Sequence, residues 1–178
     1  MTDSRRDDLL ERVIAAHEGY YDILRDHEFE GRTFPAFASF HTYGEQYVLV
    51  QRAKLWEVET HDYIFFVKAD VLNETLLREE IEFVITKGLR KVSPGPNHMS
   101  SALSLVIVAN SVTDGAAKLA KKAKFRKNYK FSLHGWSDLR LAVVDCSEGA
   151  ERPVITNAAG KPMAELLASN LDLAKQDK

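Results

Sequence analysis

Glu57, Glu59, His61 and Asp62 lie close together in the chain, with Lys68 a short way beyond. In one extended strand, alternate residues share a face at about 6.5–7 Å per step, which would put Glu57, Glu59 and His61 in a row. Two carboxylates and an imidazole are a donor set for a divalent metal ion. The same alternation also makes an ordinary charged sheet face, and that reading stands beside the first. His98, in the segment PGPNHM, is a second candidate, as an acid or base at a cleft rim.

The strongest charge bias lies elsewhere. Lys118, Lys121, Lys122, Lys124, Arg126, Lys127 and Lys130 crowd one segment, and no acidic residue occurs from Gly115 to Ser137. Phe125, Tyr129 and Trp136 are interleaved with them or close by. Cations neutralise phosphates and aromatic rings stack on bases, so the segment suits nucleic acid or another polyanion such as an acidic protein surface. The opposing reading is a solvated helix face whose lysines pair with glutamates of the preceding helix.

The composition sets bounds on both ideas. The chain has 178 residues, 45% hydrophobic and 28% charged, with a formal net charge of -2. That fits one domain over 1–178, with 175–178 as a frayed tail, and a basic patch rather than an overall positive coat. Cys146 is the single cysteine, which rules out an intramolecular disulfide and a cysteine-based zinc site and fits a buried thiol. The N-terminus is charged and no window approaches 18 apolar residues, so the expected location is cytoplasmic, with no membrane partner. There is no phosphate-binding glycine loop, nucleophile elbow or HExxH. No cofactor is expected beyond a divalent metal at the acidic row. Homo-oligomers remain open, through the aromatic segment 34–47 or an edge strand at 153–157.

The elements that must position these residues follow from periodicity. Leu9, Leu10, Val13, Ile14, His17, Tyr20, Tyr21 and Leu24 have helical spacing and predict a helix over about residues 4–27, with His17 on its apolar stripe. Three antiparallel strands are expected at 37–43, 46–59 and 63–69, turning at Gly44-Glu45 and at 60–62. If the chain runs straight through 60–62, the last two form one strand. Asn73 caps a helix carrying Leu76, Leu77, Ile81 and Val84. Leu103 to Val108 is a buried strand, Thr113-Asp114 starts the basic helix, and Tyr129, Phe131 and Leu133 alternate as a half-buried strand. Residues 139–145 form another strand, 153–157 an edge strand, and Met163 to Ala174 a closing helix. The order α-β-β-β-α-β-α-β-β-β-α implies an α/β fold: one mixed sheet with an antiparallel meander and helices on its faces.

Over residues 4–110 this order resembles the core of the PD-(D/E)xK nucleases. That resemblance implies an acid on the second strand and Glu/Asp-x-Lys on the third. Here the third strand reads Phe66-Val67-Lys68, with the lysine in place and phenylalanine at the acid position. Glu57 or Glu59 would stand for the second-strand acid. The leading expectation is a non-catalytic macromolecule-binding module using 118–130. A metal-dependent hydrolase or inactive relative is the alternative, and a small-ligand pocket near 34–47 is the third.

Overall fold

Asn73 and Thr113 each begin a helix by accepting a backbone hydrogen bond, from Leu76 at 2.9 Å and from Ala116 at 3.3 Å. The first of these helices joins two parallel strands, and the second leads from a central strand to a short edge strand. The computed structural model describes residues 2–47, 54–151 and 153–176, with side chains over 5–42, 59–151 and 153–172. The elements run α1 (Thr2–Ala15), β1 (Asp22–Phe29), β2 (Arg32–Tyr47), β3 (Lys54–Leu72), α2 (Glu74–Thr86), β4 (His98–Val112), α3 (Asp114–Lys122), β5 (Arg126–Asn128), β6 (Trp136–Asp145), β7 (Val154–Thr156) and α4 (Ala164–Gln176). This is the order expected from the sequence. Short 3-10 turns precede β4 and α4.

The seven strands form one mixed sheet in the order β1-β2-β3-β4-β6-β5, with β7 also on β6. β1, β2 and β3 are an antiparallel meander, while β3, β4 and β6 run parallel. Three layers result. Helices α2 and α3 cover one face, over Phe34, Phe37, Phe65, Leu105 and Leu141. Helices α1 and α4 cover the other, over Ile64, Phe66, Val106 and Val144. Ala116 and Ala120 are fully buried, and their small side chains bring α3 close to the sheet. β4 and β6 lie inside and read as continuous apolar runs because both of their faces are covered.

Several boundaries differ from the sequence expectation. The first helix ends at Ala15 rather than 27, and 22–29 is the edge strand β1. Its stripe Leu9, Leu10, Val13 and Ile14 is buried, but Tyr20 and Leu24 beyond it are exposed. The β1–β2 turn is Glu30-Gly31, with φ of 51° and 76°, a geometry that matches the twist of a two-residue hairpin. Gly44-Glu45 is no turn, because both residues pair within the β2–β3 ladder, opposite Val58 and Glu57. Residues 60–62 are no turn either. They pair with β2 on one side and β4 on the other, so β3 is one long strand. Finally, 129–135 is a turn and not a strand: Lys130, Phe131 and Ser132 all have positive φ. The strand there is the shorter β5. Gly135 closes this turn against β4, where a Cβ would meet the Met99 carbonyl oxygen at 2.1 Å.

Candidate functional site: a basic face and a histidine row

The basic segment is assembled as one surface from α3, β5 and the 129–135 turn. Lys118, Lys121, Lys122, Lys124, Arg126, Lys127 and Lys130 are all exposed. Arg126 makes two hydrogen bonds to Asp138, at 2.6 and 2.8 Å, and stacks over Trp136 at 5.3 Å. The half-buried Trp136 donates its indole N–H to the same carboxylate at 3.0 Å. Lys127 lies over the Tyr129 ring at 5.5 Å. Among the described residues, none of the six lysines forms an ion pair, so the α2 glutamates do not neutralise them. The tip of the turn carries Phe131, 100% exposed, and Leu133, 78% exposed.

The alternation of Phe131 and Leu133 matches a half-buried strand. The left-handed backbone turns them outward instead. Beneath the segment, Lys124 and Arg126 line a shallow cavity of about 300 Å3 with Asp138, Leu139 and Asn157. Asn157 is buried and fills the sheet edge between β5 and β7. It accepts from the Leu141 N–H at 2.9 Å and donates to the Leu139 and Ala123 carbonyls at 2.9 and 3.1 Å.

A row of imidazoles crosses β2, β3 and β4 on the α2–α3 side. His41 and His61 are directly opposed in the ladder, with their Nδ1 atoms 2.6 Å apart. Glu59 lies 3.8 Å from the other nitrogen of His61. The His61 ring stacks on His98 at 5.9 Å and 10°. Burial, then the neighbouring His41 and His98, hold the His61 imidazole below its ordinary pKa. His98 is not a loop residue at a cleft rim. It opens β4, is 3% exposed, and has both nitrogens engaged. Its Nδ1 donates to the His134 carbonyl at 2.7 Å, so its Nε2 accepts from the Ser101 hydroxyl at 2.8 Å. Tyr129 meets its ring edge-on at 5.7 Å, joining the row to the basic turn. His41 was missed in the sequence because the turn placed at 44–45 left it without a partner.

On the opposite face, Asp62 is buried. It accepts from Ser104 at 2.7 Å and Tyr21 at 3.1 Å, with Arg140 at 3.5 Å. Burial pushes its carboxyl above the ordinary range, and these partners oppose the shift. Burial, with Asp62 beside it, also raises the Tyr21 phenol. His17 is buried nearby, donating Nδ1–H to the Val13 carbonyl at 2.7 Å.

The nuclease-like set is not brought together. Glu59 and Lys68 both lie in β3, on opposite faces and about 30 Å apart along it. Lys68 instead approaches Asp7 of α1 at 3.6 Å. Phe66 is fully buried against the His17 ring, so the position that the resemblance needs for a carboxylate is core. Glu57 pairs opposite Glu45 in the ladder, and its side chain lies outside those described. Among the described residues, no three His, Cys, Asp or Glu are grouped to hold a metal ion.

In the aromatic segment, Phe34 and residues 36–38 are buried, and the side chains of 43–47 lie outside those described. Phe34 and Phe37 pack on Phe65, and Phe34-Pro35 borders a cavity of about 370 Å3 with Arg32, Lys68 and Glu80. Cys146 is buried, and burial raises its thiol to about 11. No helix among the described residues is long and apolar enough to cross a membrane. Comparison with curated proteins and with solved structures gives no match. A family model matches residues 5–169, nearly the whole length of the structured chain, and the protein therefore belongs to the family described as a domain of unknown function, DUF8052.

Proposed function

We propose that this chain is a binding module for single-stranded nucleic acid, acting in the cytoplasm, with α3, β5 and the 129–135 turn as its contact face. The observation that carries the reading is Phe131, fully exposed at the tip of the turn and bordered by lysines without carboxylate partners. Holding a large aromatic ring in water has an unfavourable hydration free energy that a bound base would remove by stacking. The lysines supply the attraction for the backbone. The cationic face needs no groove, because a single strand presents its bases and phosphates together.

The reading is tested with fluorescently labelled oligo-dT, about 20 nucleotides long, in low salt. Saturable binding is expected, weakened by Lys121→Glu/Lys122→Glu and by Phe131→Ala. Absence of binding at about 20 mM salt, where phosphate contacts are strongest, would refute it.

A further inference from the structure

We propose that His41 and His61 form a two-imidazole binding site for a late divalent transition ion such as Zn²⁺, Ni²⁺ or Cu²⁺. The two Nδ1 atoms are 2.6 Å apart on neighbouring strands, so their lone pairs point into one place. Only one proton fits between them. The Glu59 carboxylate, 3.8 Å from His61 Nε2, selects which ring supplies it. A bare Nε2 lone pair facing a carboxylate is unfavourable, so His61 carries its proton on Nε2 and presents a bare Nδ1. The bridging proton then belongs to His41.

A metal ion replaces that proton. A carboxylate beside the second ring nitrogen is a feature of metal-ligating histidines, and here the Glu59 carboxylate lies at 3.8 Å, an electrostatic contact rather than a hydrogen bond. Bonds of about 2.0–2.1 Å to each nitrogen set the two about 3.4 Å apart in a tetrahedral site. The gap must widen by under about 1 Å, which rotation of the exposed His41 ring supplies.

His98 is a positioning residue in this site. Both of its nitrogens are occupied, and its ring stacks under His61 and fixes the plane of the ligand. Tyr63 packs on both rings, at 5.8 Å from His41 and 6.2 Å from His61. With two protein nitrogens, the remaining positions go to water on the His41 side. Neutral imidazoles favour Zn²⁺, Ni²⁺ and Cu²⁺ over the oxygen-seeking Mg²⁺ and Ca²⁺.

The test uses the full chain, stripped of metal and titrated with Cu²⁺ near pH 7.5. Electron paramagnetic resonance should show two nitrogen ligands at one equivalent, and prior loading with Zn²⁺ should raise the Cu²⁺ concentration needed to reach that signal. His41→Ala and His61→Ala should each weaken binding at least tenfold. Glu59→Gln should weaken it by about tenfold, the lower end of second-ligand effects. His134→Ala, which retains the backbone carbonyl used by His98, should leave it unchanged. If His61→Ala fails to fold by circular dichroism, the exposed His41 carries the test alone. Binding that never saturates at one equivalent, or that survives His41→Ala, overturns the proposal as adventitious surface chelation only.

Discussion

Salt dependence separates the two kinds of contact that the basic face offers. Lys118, Lys121, Lys122, Lys124, Lys127 and Lys130 are exposed and unpaired among the described residues, while Arg126 is already held by Asp138. Each phosphate neutralised on a single strand contributes about -0.7 to the slope of log K against log salt. Engagement of all six lysines therefore gives a slope of about -4, and affinity falls by about 300-fold between 50 and 200 mM salt. Lys121→Glu/Lys122→Glu removes two contacts and flattens the slope to about -3. Phe131→Ala should act differently. Loss of one stacked base costs about 1–3 kcal/mol, so binding weakens by about 5- to 160-fold at every salt concentration with the slope unchanged. The assay is fluorescence anisotropy with labelled oligo-dT across a salt series. A slope shallower than about -1.5, or one unmoved by the double charge reversal, refutes the assignment of this face.

Three further outcomes test the framework around the sites. Asn157→Ala leaves the Leu141 N–H and the Leu139 carbonyl at the sheet edge without side-chain partners; it should cost about 3 kcal/mol and lower Tm by about 10 °C in calorimetry, and a shift under about 2 °C would contradict that role. Asp62 has a raised carboxyl in the fold, so its contribution to stability is full below its unfolded value of 3.8 and is lost as pH rises through the folded value. The urea stability of Asp62→Asn relative to the native chain should therefore improve between pH 4 and pH 7, and a flat or reversed difference would show that its partners outweigh burial. Cys146, with its thiol at about 11, should react with iodoacetamide at pH 8 more than about 100-fold slower than free cysteine until the protein unfolds. Fast labelling of the native state would place the thiol at the surface.

The parts of the fold legible in the sequence are those whose signal is local. Asn73 and Thr113 cap their helices through their own side chains, and the runs in β4 and β6 are apolar because both faces are covered. The first helix was overextended for a simple reason. Tyr20 and Leu24 continue the stripe at a spacing of four, and four is a step of both the helical and the extended pattern. What distinguishes them is the tertiary setting: both are exposed, Tyr20 in the turn after α1 and Leu24 on the edge strand β1. The turn over 129–135 was hidden differently. Three successive non-glycine residues adopt positive φ, which composition does not signal, and the close seat of Gly135 on Met99 fixes the turn through a neighbouring strand.

The position of one turn decides which chemistry the acidic row can support. With a reversal at 60–62, Glu59 and Lys68 would stand on neighbouring antiparallel strands, about 17 Å apart along them. With none there, the strand that carries both separates them by about 30 Å, and the ladder sets His61 against His41 instead. The same correction therefore carries the members of the hydrolase-like set further apart and creates the imidazole pair. It also links that pair to the basic turn, since His61 stacks on His98, and His98 meets Tyr129 beside Lys127. The row is continuous from β2 to β5, and each member is held by a ring contact or hydrogen bond to the next. The side chains with unsatisfied capacity lie at its ends: the two Nδ1 atoms that share one proton, and the lysines that share no carboxylate. Ligands are expected at those ends, because the middle of the row has its hydrogen-bonding groups already satisfied.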